Sequence, residues 1–144
     1  MMAEAVYSGS CHCGAIGFHY TTKRRPAEWS VRACQCRFCR MHDALSTSDP
    51  QGTLQFFAED PKALDRYRFA LKTADFLLCR MCGVYIGAAI AVNERSYGII
   101  NTHALSEIPA GMAAAGAISY NDEDRSAREG RREQRWTPVR EQPS

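Results

Sequence analysis

The 144-residue sequence has no apolar run long enough to cross a bilayer. Its longest weakly polar stretch, CGVYIGAAIAV (Cys82 to Val92), is about half the length a spanning helix needs. The opening MMAEAVYSGS lacks the basic and apolar segments of a secretory leader, so a cytoplasmic location is expected. Net charge is only +2, too little to imply nucleic acid or an anionic membrane as partner. Low-complexity segments are absent, and nothing repeats except pairs of cysteines. What remains, 45% hydrophobic and 24% charged, is the balance of one soluble globular domain with enough chain to bury a core unaided.

Against these absences stand seven cysteines. In a reducing compartment thiols serve as metal ligands or reactive groups more often than as disulfides, and an odd count would leave one unpaired. They fall into three groups: Cys11 and Cys13 in CHC, Cys34, Cys36 and Cys39 in CQCRFC, and Cys79 and Cys82 in CRMCG. A C-x-x-C turn followed by glycine is a zinc knuckle, in which Gly83 lets the backbone bend around two converging thiolates.

Seven thiolates divide as four plus three. Cys11, Cys13, Cys79 and Cys82 make a closed, structural Zn²⁺ site, leaving Cys34, Cys36 and Cys39 as a local triplet. Three protein ligands leave one position for water or substrate, the catalytic arrangement. Three thiolates on one zinc make it a poor activator of water and a good partner for a further soft ligand. A substrate thiol held there as thiolate would attack an electrophile such as a carbonyl. His42, three residues after Cys39, offers the rival reading: it closes the second site and leaves a non-catalytic zinc-stabilised binding domain. Buried thiols, an iron–sulfur cluster and a thiol-based redox sensor are further alternatives. His12 reads as a turn residue, His19 as an exposed strand residue and His103 as a surface residue.

The apolar pattern is mainly β, with short strands and few helices. Ile16, Phe18 and Tyr20 alternate, as do Trp29, Val31 and Ala33. Further strands are expected at Thr53–Phe57, Arg66–Leu71, Asp75–Cys79, Val84–Val92 and Tyr97–Asn101, with Gly87 marking a bulge. DPKALDRY predicts a short helix, with Asp60 as N-cap and Pro61 in the first turn. The boundary of the β domain is expected near residue 118, with 119–144 as an attached helix or arm. Its NDEDRSAREGRREQRW segment holds five acids and five arginines, ordered to suit a helix dipole, with Glu129–Arg132 at pairing distance. It offers no apolar face, so it reads as a solvated helix pinned by Trp136, with Pro138 and Pro143 in a loose end.

GSCHCGAI, CQCRFCR and LLCRMCGVYIG, in this order and spacing, resemble the glutathione-dependent formaldehyde-activating enzyme family, which includes centromere protein V-like members. The similarity spans about Gly9 to Gly87, and the tail resembles a subgroup named only for aldehyde activation. The resemblance implies a β-tent fold with two zinc ions per chain: structural on Cys11, Cys13, Cys79 and Cys82, catalytic on Cys34, Cys36 and Cys39. It implies a carbon–sulfur lyase adding glutathione to formaldehyde to give S-(hydroxymethyl)glutathione. A glycine customary about four residues after the triplet is replaced here near Asp43. Arg37 and Arg40 flank the triplet and are candidates for a glutathione carboxylate, against their reading as solvated surface charges.

Overall fold

The computed structural model describes residues 3–69, 71 and 73–140. In chain order the strands are β1 (Ala5–Ser10), β2 (Ile16–Thr22), β3 (Arg32–Cys34), β4 (Ser46–Thr47), β5 (Thr53–Ala58), β6 (Leu64–Tyr67), β7 (Asp75–Cys79), β8 (Tyr85–Val92), β9 (Arg95–Asn101), β10 (Gly116–Ile118) and β11 (Thr137–Pro138). The helices are α1 (Arg37–Met41), after β3, and α2 (Arg125–Arg135), before β11. The fold is mainly β. Among the described residues no helix is long and apolar enough to cross a membrane.

Two sheets form. One is antiparallel, in the order β1-β2-β5, and the other runs β10-β3-β4-β9-β8-β7-β6, with β11 added on β9. Ile16, Phe18 and Leu54 of the small sheet join Leu77, Ile86 and Ile100 of the large one in a single core. A second core lies around Phe76, Tyr85, Ile90, Ile99 and Trp136. Strands β7 to β9 feed both cores, which is why YIGAAIAV reads as a nearly continuous apolar run. By contrast β2 alternates at His19, exposed between buried Phe18 and Tyr20, as the period-two pattern predicts.

Gly87 pairs with Leu77 and Tyr85 with Leu78, so the register slips beside Gly87 and Ile86 becomes the extra residue. A Cβ at 87 would lie 2.3 Å from the Ile99 carbonyl oxygen, so close strand approach requires glycine there.

Several expectations are corrected. DPKALDRY forms only one 3₁₀ turn, Pro61–Ala63, before strand β6 begins at Leu64. Asp60 caps it, accepting from the Lys62 amide at 2.9 Å. The pairing of Leu64 through Tyr67 with Phe76 through Cys79 overrides the helical tendency. The strand expected at Arg66–Leu71 therefore starts earlier and ends at Tyr67, while Ala70 lies outside the described residues. Pro26–Glu28 forms a 3₁₀ turn, so the strand after Trp29 starts only at Arg32. Pro138 belongs to β11 and is no loose end; Pro143 lies outside the described residues.

The β8–β9 hairpin turns on Asn93 and Glu94, both at positive φ (52° and 67°). This two-residue turn prefers Asn-Gly, because a side chain at the second position is strained. Glu94→Gly is expected to stabilise the protein by about 0.5–1 kcal/mol. An unchanged or lower denaturation midpoint would contradict that reading of the turn.

Candidate functional site

Two hairpin turns meet at the four-cysteine cluster. Cys11 and Cys13 lie in the β1–β2 turn, Cys79 ends β7, and Cys82 lies in the β7–β8 turn. The turns are built alike. The Cys11 amide donates to the Ile16 carbonyl and the Cys79 amide to the Val84 carbonyl, both at 3.0 Å. Each turn carries a glycine in the left-handed region, Gly14 at φ 83° and Gly83 at φ 82°, the bend expected of Gly83 in a knuckle. Backbone N–H groups point at sulfur: Ile16 donates to Cys11, and Met81 and Cys82 both donate to Cys79. Such donors suit thiolates, because a hydrogen bond to the charged form favours it.

The four Sγ atoms lie within 4.8 Å of one another. Cys13 Sγ is 3.7 Å from Cys11 Sγ and 3.6 Å from Cys79 Sγ. Disulfide sulfurs would be at about 2.05 Å. A tetrahedron with metal–sulfur distances of about 2.3 Å has edges of about 3.8 Å, so the spacing fits zinc. The donor set and its geometry both fit the ion.

The second cluster is Cys34, Cys36 and Cys39, also within 4.8 Å. Cys34 ends β3, Cys36 is the N-cap of α1 and Cys39 lies on that helix. The Cys36 sulfur accepts from the Cys39 amide at 3.4 Å. Hydrogen bonding with Cys34, then Cys39, pulls the Cys36 thiol far below its ordinary range. Hydrogen bonding with Cys34, then Cys36, pushes Cys39 up. Among the described residues no histidine or carboxylate joins this group of three. The set could offer a metal ion three thiolates.

A cavity of about 350 Å³ opens on the three cysteines. Phe69, Phe76, Ile99 and Trp136 form its apolar wall, and Arg32, Arg128, Arg131, Arg132 and Glu123 its charged one. Glu123 binds Arg131 through both oxygens, at 2.8 and 3.0 Å, and lies 3.5 Å from Arg128. Arg131 also stacks on the Tyr120 ring, 3.5 Å from its centroid. Arg132 is only 7% exposed. It donates to Thr73 Oγ1 and lies over Trp136. Its Nε is buried without a hydrogen-bond partner among the described residues, and burial pushes its guanidinium pKa down to about 10.

The C-terminal segment is therefore more than a solvated helix. Asp124 caps α2 by accepting from the Ala127 amide at 2.8 Å. Trp136 is buried, as its pinning role requires. The expected Glu129–Arg132 pair does not form, because Arg132 turns inward to Thr73 and Trp136. The guanidiniums of Arg131 over Tyr120 and of Arg132 over Trp136 supply packing contacts that the apolar pattern does not show. The recurrence of arginine at 128, 132 and 135 beside Trp136 was the legible signal for this face.

The profile of the family described as glutathione-dependent formaldehyde-activating enzyme matches residues 6–120. The chain belongs to that family. A crystal structure of a Rhodobacter sphaeroides protein is also similar, with TM-score 0.58 and 26% identity, covering 76% of this chain and 99% of that one. Both cysteine clusters lie inside the family match, whereas helix α2 and Trp136 lie beyond it.

The position at which the resemblance leads one to expect glycine has a backbone that suits glycine. Asp43 has φ 50°, a conformation that favours glycine and that aspartate tolerates better than most residues. Its carboxylate is 94% exposed and faces His103 Nε2 at 3.7 Å. Arg37 and Arg40 are exposed, with Arg40 Nε donating to the Gln35 carbonyl, in keeping with solvated charges. His12 sits in the β1–β2 turn and His19 on the exposed face of β2, bonded to Ser8 Oγ at 2.8 Å.

His42 terminates α1, and its ring packs on Phe38 at 4.4 Å between centroids. His42→Ala is expected to keep both zinc ions and to cost about 1 kcal/mol for the lost ring contact. Metal analysis falling to one zinc per chain would make His42 a ligand.

Proposed function

We propose that this chain is a zinc-dependent carbon–sulfur lyase that adds a small thiol, glutathione in the first instance, to formaldehyde or a related aldehyde. The observation that carries the proposal is the three-thiol cluster, with no further histidine, cysteine or carboxylate joining it among the described residues, in the lining of a cavity large enough for a small substrate. Cys34, Cys36 and Cys39 would hold the working zinc, and Cys11, Cys13, Cys79 and Cys82 a structural one. Zinc bound by three thiolates supplies a Lewis acid with room for one soft ligand.

The reaction conserves all atoms. The thiol sulfur bonds to the carbonyl carbon, the carbonyl π bond opens, and the thiol proton ends on the new hydroxyl. Phe69, Phe76 and Trp136 keep one side of the cavity apolar and limit water around the reacting sulfur. The Cys36 N-cap and the Cys39 helix position fix the thiols on a rigid element.

Exchange spectroscopy on formaldehyde and glutathione, with and without the zinc-loaded protein, tests the reading. Faster exchange than the uncatalysed mixture is the expected result. No acceleration with either formaldehyde or a larger aldehyde would remove the lyase assignment.

A further inference from the structure

The cavity beside the three thiols carries four guanidiniums and one carboxylate. Glu123 is already engaged by Arg131 and Arg128. Arg32 and Arg132 have no carboxylate within ion-pair distance among the described residues. Neutral groups hold them instead. Arg32 Nη2 donates to Ser48 Oγ at 2.8 Å, and Ser48 is buried. Arg132 donates to Thr73 Oγ1 and lies over the Trp136 ring.

Burying an uncompensated charge is costly, and a buried donor left unpaired adds to the cost. Arg132 Nε is such a donor. Arg32 stands two residues before Cys34 on β3, so the two side chains share one face of the strand. A second cavity shares Arg32, Tyr120, Arg131 and Trp136 and adds Arg24 and Arg135, which extends the cationic lining away from the thiols.

We infer that Arg32 and Arg132 form a subsite for a carboxylate of the substrate, so that the cavity selects an acid-bearing thiol over a neutral one. The inference rests on the thiol-addition reading for its ligand class. The guanidinium fork matches the two oxygens of a carboxylate, which would supply the anionic partner that neither arginine has among the described residues. Of the two arginines, Arg32 lies on β3 within the residues matched by the family, and Arg132 lies on α2 beyond them, so the subsite joins the β domain to the tail.

The test is calorimetric binding to the zinc-loaded protein at fixed ionic strength. The probes are 3-mercaptopropionate and its methyl ester, then thiol-free glutarate and inorganic phosphate. The acid is expected to bind about tenfold to a hundredfold tighter than the ester, the span of a charged hydrogen bond. Arg32→Gln and Arg132→Gln should abolish that preference, and Arg132→Lys should retain part of it. Equal affinity of wild type for acid and ester overturns the inference, and this comparison stands even if a variant fails to fold. Tighter binding of phosphate than of glutarate overturns the carboxylate assignment. Aldehyde addition at equal rates for acid and ester sinks the subsite and leaves the lyase reading intact. Arginine-dependent glutarate binding without any thiol addition supports the subsite and sinks the lyase reading.

Discussion

Replacing Cys79 by serine is expected to unfold the protein or leave it as a loosely packed species. Cys79 is 2% exposed at the end of β7, and its sulfur accepts amides from both Met81 and Cys82. It also stands 3.6 Å from Cys13 Sγ, so it links turns far apart in sequence. A structural zinc of this type contributes on the order of 10 kcal/mol to folding, comparable to the whole stability of a domain, about 5–15 kcal/mol. A serine hydroxyl is a hard, weakly acidic donor that does not replace a thiolate on zinc. The measurements are zinc per chain and thermal unfolding by circular dichroism. The wild type should also lose its cooperative transition when a strong chelator strips this site. A Cys79→Ser protein that melts within a few degrees of wild type with two zinc ions bound would refute the structural role.

The two clusters were legible because cysteine is a scarce residue with specific chemistry, and its spacing survives without knowledge of the fold. The four-plus-three division needed only a count, and the geometry brings together the same seven thiols. Strands with strong periodicity were legible too: β7 falls at Asp75–Cys79 as expected, and β8 begins one residue later than expected. Other elements left weaker local signals. Strand β1 has little apolar alternation beyond Val6 and Tyr7, and it forms because β2 offers it an edge from Thr22 to Gly17. Helix α1 has only five residues, too few for any hydrophobic period, and depends on the Cys36 cap.

The tail forms the charged helix pinned by Trp136, but one side of it faces inward. Charge density there suggested solvent, but Arg132 is buried and the helix closes over the three-thiol cavity. A charged helix can pack when some guanidiniums lie over aromatic rings and others share a carboxylate: Arg132 lies over Trp136, Arg131 over Tyr120, and Glu123 pairs with Arg128 and Arg131. Sequence periodicity measures apolar residues and does not see this. Arg37 and Arg40 are exposed, in keeping with their reading as solvated surface charges, while the arginines that line the cavity come mostly from about 90 residues further along the chain.

Cys36→Ser should separate chemistry from folding. Cys36 caps α1, and its sulfur accepts the Cys39 amide at 3.4 Å. Serine is among the best N-cap residues, so its hydroxyl can take over that bond and preserve the helix start. What serine cannot supply is the third thiolate. The four-cysteine cluster draws no ligand from this segment, so its zinc should remain. The expected protein binds one zinc per chain, keeps wild-type circular dichroism and loses at most about 2 kcal/mol of stability beyond the effect of the missing ion. Its acceleration of thiol–formaldehyde exchange should vanish, a loss of at least about a hundredfold if the zinc supplies a few kcal/mol to the transition state. The paired outcomes matter more than either alone. One zinc with full activity would move the chemistry away from the triplet. Collapse of the fold together with loss of both metals would show that the triplet is structural and would favour the closed, non-catalytic reading of this site.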